Sequence, residues 1–68
     1  MSYPRIRLLS VLLRYGVVIL REGGSHTVVR GPTGRQSSVP RHRDVNRFTA
    51  RKIVVQLDLD WNQIHKEL

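Results

Sequence analysis

The hydrophobic period of this chain changes at Gly16, and that change decides its fold class. Before Gly16, apolar residues recur at helical spacing and predict a helix over residues 4–15. The residues expected on its buried face are Ile6, Leu8, Leu9, Leu12, Leu13 and Tyr15. After Gly16, short runs rich in β-branched residues predict strands instead. A chain that starts with a helix and continues with strands belongs to the α+β class.

Glycine-containing segments divide the β-branched region into three predicted strands. Gly23 and Gly24 separate the runs at residues 17–20 and 26–30, which predicts a hairpin whose glycines supply a positive φ. The Gly-Pro-Thr-Gly segment at 31–34 predicts a second turn, before a third strand over 35–39. Sequential strands joined by tight turns form an antiparallel sheet.

The C-terminal third predicts further helix. Residues 49–57 fit both helical spacing and strand alternation, and Thr49 as an N-cap favours the helix. Asp60 is expected to cap a short helix over 61–68, with Gln63 in a capping box and Trp61 as a core anchor. The predicted fold is one α+β domain over residues 1–68, ordered α-β-β-β-α, with a three-stranded antiparallel sheet packed on helices.

Charge and size narrow the function classes. The 68 residues hold 12 Lys plus Arg against 5 Asp plus Glu, a net charge of +7, and no cysteine. This excludes a multidomain enzyme, a disulfide-stapled miniprotein and a cysteine-ligated zinc finger. The excess arginine indicates a phosphate-rich partner or an acidic protein that covers the basic surface. With no cysteine and no apolar run long enough for a membrane span, we expect a cytoplasmic protein that makes no membrane contact.

His26 is the residue best suited to chemistry. An imidazole can remove the 2′-OH proton in RNA cleavage or protonate the leaving 5′-oxygen. Gly24 and Ser25 precede it directly, so a phosphate could approach the backbone and accept a bond from the Ser25 hydroxyl. His42 is a candidate second catalytic group. The structural alternatives are that His26 merely begins a strand and that His42 bonds backbone in a loop.

The arginines form a candidate RNA footprint, because guanidinium groups bind phosphate in two-pronged contacts and stack on bases. The alternative for any one of them is a solvated face that aids solubility. His65 is expected at the surface, and the spacing of the histidines and acids predicts no metal site or cofactor. The footprint consists of Arg7, Arg14, Arg21, Arg30, Arg35, Arg41, Arg43, Arg47 and Arg51.

Four features together resemble one known family. They are Gly16 after the first helix, the Gly-Ser-His of residues 24–26, Pro40 and His42, in a small basic chain. They are similar to the HicA toxins, which are ribosome-independent mRNA interferases of type II toxin–antitoxin systems. The chain departs from the family pattern at Val17, Phe48 and Asp58, where the family has an aromatic residue and two glycines.

The resemblance implies a fold like that of the double-stranded-RNA-binding domain and places the catalytic role on His26. It further implies mRNA cleavage without a cofactor, and neutralisation by a HicB-type antitoxin protein. Oligomers are expected only through the antitoxin complex. Two other interpretations stay open: a non-catalytic RNA-binding module or inactive toxin of the same fold, and a basic protein that binds only acidic proteins.

Overall fold

The computed structural model describes all 68 residues and confirms the α-β-β-β-α order of a double-stranded-RNA-binding-domain-like α+β fold. Two further short strands are present, one at the N-terminus and one between the third strand of the predicted sheet and the second long helix. The elements are β1 (Ser2–Pro4), α1 (Arg5–Arg14), β2 (Val18–Glu22), β3 (His26–Arg30), β4 (Gln36–Pro40), β5 (Asp44–Asn46), α2 (Arg47–Gln56), α3 (Trp61–Ile64) and a closing 3₁₀ turn (His65–Glu67). None of these helices has the length and hydropathy of a membrane-spanning segment.

The central sheet is antiparallel, in the order β2-β3-β4. Because side chains alternate along a strand, its two faces differ in composition. Thr27, Val29 and Val39 are buried on one face, where they join the core. His26 pairs with Pro40, so both lie on the opposite face. The register therefore holds His26 at the start of β3 with its side chain outside the core.

Helix α1 forms where predicted, but its buried face differs from the predicted one. Leu8, Val11 and Leu12 are buried, whereas Ile6 is 79% exposed and Leu13 is 47% exposed. Five of the six residues from position 8 to 13 are apolar, so periodicity alone could not choose between neighbouring faces. Packing of Leu8, Val11 and Leu12 into the common core makes that choice. Gly16 ends the helix region with a φ of 89°, as predicted for glycine at a helix end.

A two-stranded antiparallel sheet, β1 with β5, was not predicted. Tyr3 pairs with Val45 at its centre. Each strand leads directly into a helix, and because the strands are antiparallel, α1 and α2 start at opposite ends of the pair. The Arg5 N–H donates to the Arg43 carbonyl at 2.8 Å, and the Arg47 N–H donates to the Met1 carbonyl at 3.0 Å.

Residues 49–57, which fit both helix and strand patterns, are helical to Gln56, as predicted, but the helix begins at Arg47, before Thr49. Asn46 is the N-cap of α2, and its side chain accepts a hydrogen bond from the Phe48 N–H at 2.8 Å. The Thr49 cap was wrong because β5 runs directly into the helix and places Asn46, a stronger capping residue, just before its first turn. Ala50, Ile53 and Val54 are buried at helical spacing.

The C-terminal helix carries the predicted cap in a different form. The Asp60 carboxylate accepts from the Asn62 N–H at 2.9 Å, whereas the Gln63 N–H bonds the Asp60 carbonyl, so the predicted capping box does not form. Trp61 is buried, and its ring packs edge-on against Tyr3 with centroids 6.2 Å apart. The tryptophan is therefore a core anchor, as predicted.

Two backbone positions fix how α2 ends against the sheet. Asp58, just after the helix, has a φ of 59°. Gly31, after β3, lies so close to Leu57 that a Cβ there would approach the Leu57 carbonyl oxygen to 2.6 Å. Both positions belong to the same contact, because the Asp58 carboxylate accepts from Thr33 at 2.8 Å and from Arg35 at 3.2 Å in the β3–β4 turn.

Candidate active site

A groove of about 490 Å³ lies between β4, β5 and helix α2. His26 reaches it from β3, and His42 reaches it from the loop between β4 and β5. The two histidines singled out from the sequence therefore share one cavity. Eight of the eleven residues that line it are polar, namely His26, Ser38, His42, Asp44, Asn46, Thr49, Lys52 and Gln56.

The hairpin before β3 holds the backbone of His26. The Gly23 N–H donates to the His26 carbonyl at 2.8 Å, which closes the turn around Gly24 and Ser25. The predicted reason for these glycines was wrong, because neither Gly23 nor Gly24 has a positive φ. Gly23 is needed because a Cβ there would lie 2.9 Å from the His26 carbonyl oxygen. Gly24 faces open space, with no atom within 4 Å of where its Cβ would be.

Arg41 fastens this hairpin to the end of β4. Its backbone N–H donates to the Ser25 carbonyl at 3.0 Å. Its guanidinium donates to the Glu22 carboxylate at 3.1 Å and, at 3.4 Å, to the Gly23 carbonyl. Three residues of the turn are thus attached to one arginine, and the position of His26 depends on it.

The buried hydroxyl of Thr27 connects the hairpin to the first residue of helix α1. Thr27 is the buried polar residue of the sheet, and its hydroxyl donates to the Glu22 carboxylate at 2.5 Å. Arg5 donates to the Thr27 hydroxyl and, through Nε, to the Pro40 carbonyl at 3.2 Å. Arg5 was not predicted as a functional residue. Its place in the first turn of α1 was predicted, but its contacts with Thr27 and Pro40 were not, because those residues are far from it in the sequence.

Both imidazoles of the groove are exposed and form no hydrogen bond with another residue of the chain. Their ring nitrogens are therefore available to a bound ligand. His65 behaves differently, because it is half-buried and stacks on Trp61 with ring centroids 5.6 Å apart. The expectation that His65 lies simply at the surface needs this correction.

The predicted turn residues and arginines lie around the groove rather than in it. Gly24, Ser25 and all nine footprint arginines are absent from its lining. Arg14, Arg35 and Arg41 form ion pairs with Glu67, Asp58 and Glu22, and Arg7 donates to the Glu67 carbonyl at 3.1 Å. The footprint arginines that form neither an ion pair nor a side-chain hydrogen bond are Arg21, Arg30, Arg43, Arg47 and Arg51.

Lys52 is the cation that the groove does contain, and it was not predicted. A signal was present in the sequence, because Thr49, Lys52 and Gln56 are spaced to share one polar face of a helix. That face borders the buried one, and it lines the groove. No three His, Cys, Asp or Glu side chains are grouped so that they could hold a metal ion.

Comparison with known proteins identifies a family for the chain. The family model described as the HicA toxin of bacterial toxin–antitoxin systems matches residues 7–59. The chain belongs to the HicA toxin family. The matched segment of this HicA family member spans most of α1, the whole central sheet and α2, and so includes both groove histidines. No curated protein and no solved structure matches the chain significantly.

Proposed function

We propose that this HicA family member is an mRNA interferase, an endoribonuclease that cleaves RNA through His26. The observation that carries the proposal is that His26, His42 and Lys52 line one groove. Two imidazoles and an ammonium group are the side chains that internal RNA cleavage needs: a base, an acid and a cation.

The proposed reaction is attack by the ribose 2′-oxygen on the adjacent phosphorus. One imidazole removes the 2′-OH proton as the new O–P bond forms, and the other donates a proton to the 5′-oxygen as the P–O5′ bond breaks. His26 is the catalytic residue of this scheme, and His42 is its acid–base partner. The Lys52 ammonium stabilises the extra negative charge on the phosphorane. The products are a 2′,3′-cyclic phosphate and a 5′-hydroxyl.

The turn before His26 supports the approach of the phosphate. Gly24 adds no side chain there, and the exposed Ser25 hydroxyl can donate to a phosphate oxygen. The arginines free of ion pairs extend the contact along the RNA backbone. Binding should therefore weaken steeply with salt, by about 0.7 log units in affinity per log unit of salt for each phosphate neutralised on a single strand.

We infer that the partner of this toxin is a HicB-type antitoxin that covers the groove and the basic surface. Residues 1–57 hold eleven Lys plus Arg against Glu22 and Asp44, so an acidic antitoxin would compete with RNA for the same charges. The toxin would act on mRNA in the cytoplasm as one domain over residues 1–68, and it would form oligomers only through the antitoxin. Growth arrest on expression, relieved by the product of an adjacent acidic reading frame, would test this pairing.

Cleavage chemistry is tested with a short RNA of defined sequence and the purified protein. We expect cleavage in excess EDTA, with a cyclic phosphate at the new 3′ end. Replacing the nucleotide 5′ to the cleaved bond with its 2′-deoxy form should abolish cleavage there, because the attacking oxygen is gone. Tight RNA binding with no product after long incubation would favour the alternative, a non-catalytic RNA-binding module.

A further inference from the structure

Phe48 is the one aromatic residue of the protein that is mostly exposed to solvent. Its side chain is 83% exposed. The other aromatic residues have partners inside the fold: Trp61 and Tyr3 pack on each other, and Tyr15 donates a hydrogen bond to Glu67. The Phe48 ring therefore contributes little to the core and is free to contact a ligand.

Helix α2 does not need a ring at this position. The contribution of Phe48 to the helix start is its backbone N–H, which donates to Asn46 and would do so with most side chains. The buried face of α2 consists of Ala50, Ile53 and Val54, so the ring is outside that face. The ring is therefore not required by the fold, and its exposed face is open to a ligand.

The position of the ring relative to the groove indicates what it contacts. Phe48 precedes Thr49 and lies one helical turn before Lys52, and both of these residues line the groove. Side chains four residues apart on a helix have Cβ atoms about 5–6 Å apart, which is within the span of one nucleotide. Arg47 and Arg51 flank the ring in sequence, and α2 contains no acidic residue.

We propose that Phe48 stacks on an unpaired base of the RNA strand whose phosphate occupies the groove. This inference rests on the proposed function and names its substrate class as single-stranded RNA. Aromatic rings set among cations form the stacking platforms of single-strand binding proteins, because every base has a π-face. Bases in a duplex are already stacked on each other and do not offer that face to a side chain.

Binding of a fully 2′-O-methylated oligonucleotide tests the stacking apart from cleavage, because that strand has no free 2′-OH to attack. Phe48→Leu removes the ring, and we expect its Kd to rise about tenfold to a hundredfold. Phe48→Trp should retain the affinity. Val55→Ala is the matched control, since Val55 is an exposed apolar residue of the same helix that does not line the groove.

An abasic oligonucleotide of the same length and backbone completes the test. Wild type and Phe48→Leu should bind it with equal Kd, because no base remains to stack. Equal binding of both proteins to the base-containing strand would overturn the proposal, as would the same loss on both strands. If Phe48→Leu bound a purified antitoxin more weakly than wild type but bound both RNA strands equally well, the proposal would be overturned in favour of a protein contact. A wild type that binds these strands but cleaves no RNA would contradict the proposed function alone.

Discussion

The guanidinium of Arg41 lies 3.1 Å from the carboxylate of Glu22, across the turn that carries His26. The backbone N–H of Arg41 holds the Ser25 carbonyl at the same turn. Arg41 was expected in the RNA footprint, but its contacts within the chain describe a residue that positions the hairpin.

Glu22→Gln should therefore slow cleavage without weakening RNA binding. The substitution removes the charge that holds Arg41, so the turn loosens and kcat should fall several-fold while KM changes little. Stability should change by only about 0.2–1 kcal/mol, as is usual for exposed ion pairs, because the glutamine amide oxygen can still accept the hydrogen bond from Thr27. Glu67→Gln is the matched control, because Glu67 pairs with Arg14 away from the groove. A rise in KM with unchanged kcat would argue against a positioning role.

The two glycines before Ser25 should respond differently to alanine. A Cβ at Gly23 would lie 2.9 Å from the His26 carbonyl oxygen, so the backbone must shift, whereas Gly24 has open space. We expect Gly23→Ala to lower the free energy of unfolding by about 1–3 kcal/mol, the usual cost of overpacking. Gly24→Ala should leave thermal unfolding nearly unchanged. Equal Tm values for the two variants would contradict this account of the turn.

Asp58 should be sensitive to the loss of its short polar side chain. Its φ of 59° lies in the left-handed region, which Asp and Asn tolerate better than other non-glycine residues. Asp58→Ala loses that tolerance and the bonds from Thr33 and Arg35, so we expect it to be about 1–2 kcal/mol less stable than Asp58→Asn. Urea unfolding of the two variants measures the difference. An alanine variant as stable as the asparagine variant would show that the position is unstrained.

Because of Tyr15, the free energy of unfolding should decrease at alkaline pH. Its hydroxyl donates to the Glu67 carboxylate, and this bond, followed by desolvation and the nearby negative charge, raises the pKa of Tyr15 above 10.0. Because the folded pKa is raised, the stabilisation is fully present below pH about 10 and is lost as pH rises through the folded pKa. Tyr15→Phe should lack this alkaline loss in urea unfolding at several pH values. The same pH dependence in both proteins would assign it to another group.

Local patterns in the sequence predicted the parts of the fold that local interactions determine. The end of α1 just before Gly16 and the hairpin before His26 depend on residues that are neighbours in the chain. The β1–β5 pair could not be predicted in this way, because Tyr3 and Val45 are far apart in sequence and each strand is only three residues long. Because this pair was not predicted, the role of Asn46 as the N-cap of α2 was missed as well.

The candidate site, too, was predictable only in part, in its residue types and not in how they come together. His26 and His42 could be found by residue type, because imidazole is the usual acid–base group at neutral pH. Their meeting in one groove depends on how β4, β5 and α2 pack, which no local pattern encodes. Lys52 was missed because the excess of arginine dominated the charge pattern, although its helical spacing from Thr49 and Gln56 was visible.

The most direct test of the central proposal is the cleavage rate of His26→Ala under single-turnover conditions. The His26 side chain is exposed, so the variant should keep the wild-type Tm and bind 2′-O-methylated RNA normally. Loss of an acid–base group should slow cleavage about 10²–10⁴-fold and relieve growth arrest in cells. A folded His26→Ala protein that cleaves RNA at the wild-type rate would contradict the assignment of His26 as the catalytic residue.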